Sequence, residues 1–262
     1  MTATLAAVNV YPVKSAGGFP AERWELDEFG LRYDRRWAVI DSGGVVLTQR
    51  DCATMALVRT GIAAGELRLE APGMPRLTLP LAGCGGSRLP VRIWGDTCEA
   101  ERCAPAADAW WSALLGESSH MVRMPDESVR PAGDARVAFS DAFPFLILSQ
   151  ASLDALNARL ERPLPMNRFR PNLVIGGVEP HAEDRWESVR IGTEEFVLER
   201  PCVRCVVTTI DQATAARGTE PLRTLAGYRR NSRGGVEFGR NAIHRTRGNV
   251  AVGDAVSPAP PA

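Results

Sequence analysis

Arg200-Pro201-Cys202-Val203-Arg204-Cys205-Val206-Val207-Thr208-Thr209-Ile210-Asp211 is the stretch around which the rest of the chain is read. Two residues separate its cysteines, one of them Arg204, and Arg200 stands just ahead. The β-branched run from Val206 to Ile210 favours an extended strand, which sets the thiols at the mouth of a rigid element. Neighbouring arginines favour thiolate over thiol, and the thiolate is both nucleophile and metal ligand. The competing reading is of two small apolar side chains packed at a strand end, since free cysteine is often buried.

Working outward, the chain reads as β-rich. The first strand, Leu5 to Val13, is broken at Pro12, which cannot take a central ladder position, so Lys14 and Ser15 follow on a loop. Trp37-Ala38-Val39-Ile40 and Val45-Val46-Leu47-Thr48 flank Asp41-Ser42-Gly43-Gly44 as a hairpin. Glu66 to Glu70, Arg76 to Leu79 and Val91 to Trp94 alternate with period two, as half-buried strands do. Short spacings and turns rich in Gly and Pro predict a small, mostly antiparallel barrel or sandwich. A helix is expected from Ala106 to Leu115, stopped by Gly116. Met124 to Gly133, polar with prolines, marks the boundary between halves at 1–124 and 125–262. Beyond it, Phe143 to Leu148 reads as a buried strand, and Ser149 caps a helix carrying Leu153, Leu156 and Leu160. Asn172 to Ile175, Glu195 to Leu198 and Asn249 to Val256 are further strands, and 257–262 is expected to fray.

Composition narrows the function. Lys+Arg and Asp+Glu are both 31, which argues against a broad nucleic-acid surface but leaves room for a local basic pocket. Six cysteines in 262 residues are too sparse for a disulfide-stapled secreted fold. No apolar run is long enough for a membrane span, and the N-terminus lacks signal-peptide features. A soluble, reduced, cytoplasmic protein is the expectation.

Lys14, Arg35, Arg36, Arg168 and Arg170 each sit where a loop meets a strand, the usual place for binding residues. Arginine suits bidentate phosphate recognition, with Ser15 as a hydroxyl donor and the Ser149 helix start as a source of N–H groups. Taken singly, each basic residue also reads as solvated surface. No glycine-rich phosphate loop is present. For the cysteine pair three functions stand open. A thioredoxin-type pair needs a helix after it; a zinc site would recruit Cys98 and Cys103, at a loose spacing; a thiolate on a soft redox metal, with arginines holding a phosphorylated organic cofactor, uses both the cysteines and the basic loop ends. The histidines 120, 181 and 244 show no ligand spacing. Ser140-Asp141 and Asp211 read as turn chemistry, and Trp94-Gly95-Asp96 and Glu183 to Trp186 as packing anchors.

Five segments in this order carry a resemblance: Tyr11-Pro12-Val13-Lys14-Ser15, Asp34-Arg35-Arg36-Trp37, Ser140-Asp141 with Phe145 to Ser149, Phe169-Arg170-Pro171-Asn172, and Cys202-Val203-Arg204-Cys205. Together they resemble the MOSC family, and within it the branch of the amidoxime reducing components, from Leu5 to about Val256. The resemblance implies a β-rich α+β fold, with an N-terminal β-barrel-like domain packed on a C-terminal MOSC β-barrel with a few helices. It implies a molybdenum cofactor (molybdenum on molybdopterin, with no pyridoxal phosphate) and Cys205 as metal ligand and catalytic residue. Lys14, Ser15, Arg35, Ala142, Phe143, Arg170, Asn172 and Val203, with Cys205, would bind that cofactor.

The chain departs from this pattern at Ala142, Phe143 and Val203, where relatives often carry hydroxyl residues, so only backbone groups would serve there. Some bacterial relatives continue into a ferredoxin-like domain, whereas this chain ends at Ala262. Electrons are therefore expected from a separate flavin or iron-sulfur protein, with no membrane or nucleic-acid partner. The expected activity is reduction of N-hydroxylated or N-oxide-type small molecules. The rival is a non-catalytic protein that binds the molybdenum cofactor or carries sulfur.

Overall fold

The computed structural model describes residues 2–128, 130–132 and 134–259. Its largest element is an eight-stranded sheet in the order Phe19–Ala21, Thr4–Val10, Leu173–Gly176, Phe145–Ser149, Glu237–His244, Glu194–Val203, Ser188–Ile191, Val256–Ala259. All neighbours run antiparallel except Phe145–Ser149 and Leu173–Gly176, which are parallel. The sheet curls far enough for its ends to meet: Leu5 N–H donates to Asp254 O at 2.9 Å and Val256 N–H to Ala3 O at 2.9 Å. Inward side chains of alternate residues, among them Leu5, Phe145, Ile147, Ile175 and Phe196, fill the interior.

The second body of strands lies between residues 37 and 123. Trp37–Asp41, Ser119–Arg123, Asp96–Arg102 and Arg88–Ile93 form a four-stranded antiparallel sheet, and Arg59–Ala63, Glu66–Glu70 and Leu77–Pro80 a three-stranded one. The period-two alternation has its expected effect: Leu67, Leu69, Leu77 and Leu79 are buried while Glu66, Arg68 and Glu70 are partly exposed. The helix Pro105–Leu115 covers this core with Ala107 and Trp111, and ends at Gly116 in the left-handed conformation. The second helix, Gln150–Asn157, is capped by Ser149, whose side chain accepts the Ser152 N–H, and buries Leu153 and Leu156. Each such leucine contributes about 1.5–3 kcal/mol.

Three expectations are corrected. Val206 to Ile210 is no strand: Val206–Thr209 is a 3₁₀ turn, and the strand comes earlier, as Glu194–Val203, carrying Cys202 near its end with Cys205 just beyond it. The threonines' β-preference is overridden because their hydroxyls bond back into the turn, Thr208 to Cys205 O at 2.9 Å and Thr209 to Val206 O at 2.7 Å. Residues 257–259 do not fray, since Val256–Ala259 pairs with Ser188–Ile191; 260–262, and Val129 and Gly133 of the expected boundary segment, lie outside the described residues. Cys84 and Cys103 are disulfide-bonded within the apolar core under the first helix, where sparse cysteines had argued for thiols alone. Among the described residues no helix is long and apolar enough to cross a membrane.

Candidate functional site

The cysteine segment leaves the curled sheet through two bulges. Register between Glu194–Val203 and Glu237–His244 shifts at Leu198/Arg200 and again at Pro201/Val203. Each bulge bends the strand and re-aims the residues beyond it, here the two cysteines. The 3₁₀ turn after Cys205 is tied down by buried Arg168, which donates from Nε to Thr208 O at 2.9 Å and from Nη2 to Glu220 O at 3.1 Å. Arg168 is thus a structural arginine, as is Arg36, which is buried and pairs with Asp126 and Asp27.

Cys205 opens into a cavity of about 680 Å³, within the range of small-molecule sites. Lys14, Ser15, Arg35, Ala142, Phe143, Arg170, Asn172, Val203 and Cys205, all singled out in the sequence, line it together. They come from loops at the ends of five strands. Seven cations line the cavity (Lys14, Arg35, Arg50, Arg170, Arg200, Arg204 and Arg233) against two carboxylates, Asp141 and Glu237. In a chain of zero formal net charge this is a strong local concentration.

Most of these charges are held by the protein. Buried Lys14 donates to Phe139 O at 2.6 Å and pairs with Asp141. Burial pushes the Lys14 pKa down, against the pull of Asp141. More than half of the Asp141 side chain is exposed (56%), so the crowding that would raise its pKa yields to Lys14 and then Arg50. The carboxyl is held well below the usual range. Arg35 pairs with buried Asp34 and donates to Asn172 Oδ1 at 2.9 Å, while Asp34 accepts the Tyr11 N–H at 2.8 Å. Asn172 is buried, its Oδ1 also accepting Leu146 N–H at 3.2 Å.

Arg170 is different. Its backbone is left-handed at φ 56°, and its guanidinium stacks on the Tyr11 ring at 4.5 Å, as Arg35 also does. Its guanidinium has no hydrogen-bond or ion-pair partner among the described residues, and burial, then the charge of Arg35, pushes its pKa down to about 10. The Ser15 hydroxyl has no partner among the described residues either. A cation that the protein leaves uncompensated at the wall of a cavity fits an anionic ligand.

Both thiols of the pair are free, and each faces its own guanidinium. Arg50 Nη2 lies 3.1 Å from Cys205 Sγ and 3.3 Å from Asp141 Oδ2. Arg204 Nη1 lies 2.9 Å from Cys202 Sγ, with Nη2 donating to Phe169 O at 2.6 Å. Arg200 covers the ring of Phe143 at 5.0 Å, and Val203 is 55% exposed at the rim. Arg50, Asp141, Arg233 and Glu237 are charged residues of the site to which the sequence reading gave no role. Asp141 looked like a turn residue, and nothing near Thr48-Gln49-Arg50-Asp51 marks an arginine reaching a cysteine 155 positions away.

The zinc reading does not survive. Cys103 is bonded to Cys84, Cys98 is buried with Val91 O as its hydrogen-bond partner, and no group of three or more His, Cys, Asp or Glu among the described residues is placed to hold a metal. Trp186 is buried, as expected of a packing anchor, but Trp94 is 53% exposed and stacks on cations instead. Asp211 does turn chemistry, accepting the Ala213 and Thr214 N–H groups.

Comparison with known proteins gives two family-model matches, a MOSC N-terminal beta barrel domain over residues 2–118 and a MOSC domain over residues 134–257. The chain is 36% identical over 242 residues to mitochondrial amidoxime-reducing component 1 of Mus musculus, covering 86% of this chain and 71% of that protein. It is 32% identical over 276 residues to the Homo sapiens protein of the same name, covering 97% and 82%. Molybdenum cofactor sulfurase 1 of Aedes aegypti is 32% identical over 260 residues, or 92% of this chain but 34% of that longer protein. With matched domains along nearly its whole length and relatives above 30% identity over most of theirs, the chain belongs to the MOSC family.

Proposed function

We propose that the chain binds a molybdenum cofactor and reduces N-hydroxylated small molecules, using electrons from a separate redox protein. The observation that carries the reading is the free Cys205 thiol opening into a cation-lined cavity where Arg170 lacks an anionic partner among the described residues. A soft sulfur donor beside an unsatisfied guanidinium fits the metal and the phosphate of such a cofactor. Arg170, with Lys14 and Ser15, would hold the phosphate; Arg35, Asn172 and backbone groups at Ala142, Phe143 and Val203 would hold the pterin; Cys205 would hold the metal. When bound, the cofactor supplies the redox chemistry that cleaves an N–O bond and releases water.

The chain's own residues bind and orient. Asp34 holds Arg35, Asp141 holds Lys14, and the anchored turn after Cys205 fixes the thiol. Reduction of N–OH to N–H and water consumes two electrons and two protons. The rim at Val203 and Val206 is exposed, leaving the thiol side of the cavity accessible to substrate and electron donor. The relatives' names, amidoxime-reducing component foremost, support the same reaction class.

The test is molybdenum and pterin analysis of purified protein, followed by turnover of an amidoxime with an artificial reductant. Near-equal molybdenum and pterin with turnover are expected, and Cys205→Ala should lose both molybdenum and activity. Cofactor bound without turnover would replace the enzyme with a carrier, in keeping with the sulfurase relatives. Full metal content and activity in Cys205→Ala would sink the ligand assignment.

A further inference from the structure

Arg50 reaches the site from the body of strands between residues 37 and 123, and both ends of its surroundings are fixed. Asp51 Oδ2 accepts the Thr48 N–H at 3.0 Å, and Arg217 Nη2 donates to Arg50 O at 2.8 Å. Gln49 and Gln212 bond each other through their side-chain amides at 3.0–3.1 Å. The backbone is therefore clamped between segments more than 160 residues apart, and the side chain points at Cys205.

The guanidinium plane is held as well. Its central carbon lies over the Trp94 ring, 4.4 Å from the centroid, while Nη2 bridges Cys205 Sγ and Asp141 Oδ2. Trp94 and Gly95 form the two-residue turn between Arg88–Ile93 and Asp96–Arg102. Trp94 has φ 55°, and a positive φ at the first position of such a loop favours glycine. The turn is locked by buried Arg130, which donates to Asp96 Oδ2 at 2.8 Å and to Ser140 O at 2.6 Å, next to Asp141. A half-exposed indole in this conformation draws little from core burial; its aromatic face is used on Arg50, with the Lys14 ammonium 5.7 Å away.

We infer that Arg50 is a positioning residue for the Cys205 sulfur and Trp94 a positioning residue for Arg50. The significance of the sulfur rests on the molybdenum reading above; the contact itself does not. Arg50 fixes Cys205 while Arg204 fixes Cys202, so each thiol is held on its own guanidinium. Lysine would not substitute, because the same side chain must present a flat face to an indole and a fork edge to sulfur and carboxylate together. The site thus takes the group that orients its thiol from the other half of the chain.

The test labels Cys205 in full-length protein produced without cofactor, with the modified peptide followed by mass spectrometry. Rates with anionic iodoacetate and neutral iodoacetamide are compared at one pH, so the thiol's own ionisation cancels in their ratio. Removing one unit charge about 4 Å from the sulfur should lower the iodoacetate-to-iodoacetamide ratio about fivefold. That drop is expected in Arg50→Met, and in Arg50→Gln should the first variant fail to fold. Trp94→Ala should give a smaller drop, Trp94→Phe should recover it, and adding Trp94→Ala to the Arg50 variant should change nothing more. An unchanged ratio in the Arg50 variants would overturn the inference, as would a Trp94→Ala effect that persists without Arg50. If the wild-type protein reduces no N-hydroxylated compound, the proposed function fails while this ratio still decides the positioning role.

Discussion

Replacing Arg170 with methionine should stabilise the cofactor-free protein and abolish most of its response to phosphate. Methionine keeps an apolar stem of similar length and removes the charge together with the guanidinium that lies over Tyr11. The drop from the ordinary arginine range to about 10 corresponds to on the order of 3 kcal/mol against carrying that charge. Solvent at this half-buried wall leaves about 1–2 kcal/mol of it. Because the folded pKa lies below the unfolded one, the cost is fully present below about pH 10 and fades as pH rises from there towards the ordinary arginine range. At neutral pH the variant should therefore melt about 2–8 °C higher than wild type. Added inorganic phosphate or pyrophosphate should stabilise the wild type and bind the variant roughly 10- to 100-fold more weakly, the usual worth of a charge-assisted contact. Thermal unfolding with and without the anion reads both effects. A variant that melts lower than wild type and still gains equally from phosphate would show a structural cation, and the anion-site argument would fall.

Three further outcomes rest on other contacts. Asp141→Asn removes the carboxylate that opposes the burial-lowered pKa of Lys14, so Lys14 should lose its proton at lower pH. The alkaline loss of the proposed pterin should move to lower pH, and an unmoved limb would mean that Lys14 does not contribute its charge to binding. Arg168→Met strands the carbonyls of Thr208 and Glu220 and should cost about 2–4 kcal/mol in urea unfolding, with loss of the metal proposed to bind at Cys205. Gly239→Ala places a Cβ 2.9 Å from Ile147 O at φ 79°, in the strand beside the cysteine segment. It should cost about 2–4 kcal/mol, and a variant as stable as wild type would contradict that geometry.

Much of the fold was legible because strand signals are local. Alternation at Glu66 to Glu70, the stop at Gly116 and the Ser149 cap each depend on a few neighbours, and each stands where the sequence put it. The Val206–Thr209 turn was misread because a β-branched run carries the same local signal whether threonine hydroxyls face a sheet or fold back on their own carbonyls. The Cys84–Cys103 bond depends on the loop after Leu77–Pro80 meeting the end of Asp96–Arg102, which spacing cannot specify.

The kinds of residue in the site are written locally in the chain: a cysteine pair among arginines, and Lys-Ser and Arg-Pro-Asn segments at loop–strand junctions. Tertiary structure decided which cations are used up. Arg36 and Arg168 are consumed in buried contacts, Lys14 and Arg35 are tied to Asp141 and Asp34, and Arg170 is left without an anion among the described residues. It also brought Arg50 to Cys205 under an exposed tryptophan. An arginine's charge is written in its side chain, but its availability depends on what the fold places within about 3 Å of it. No local pattern carries that information.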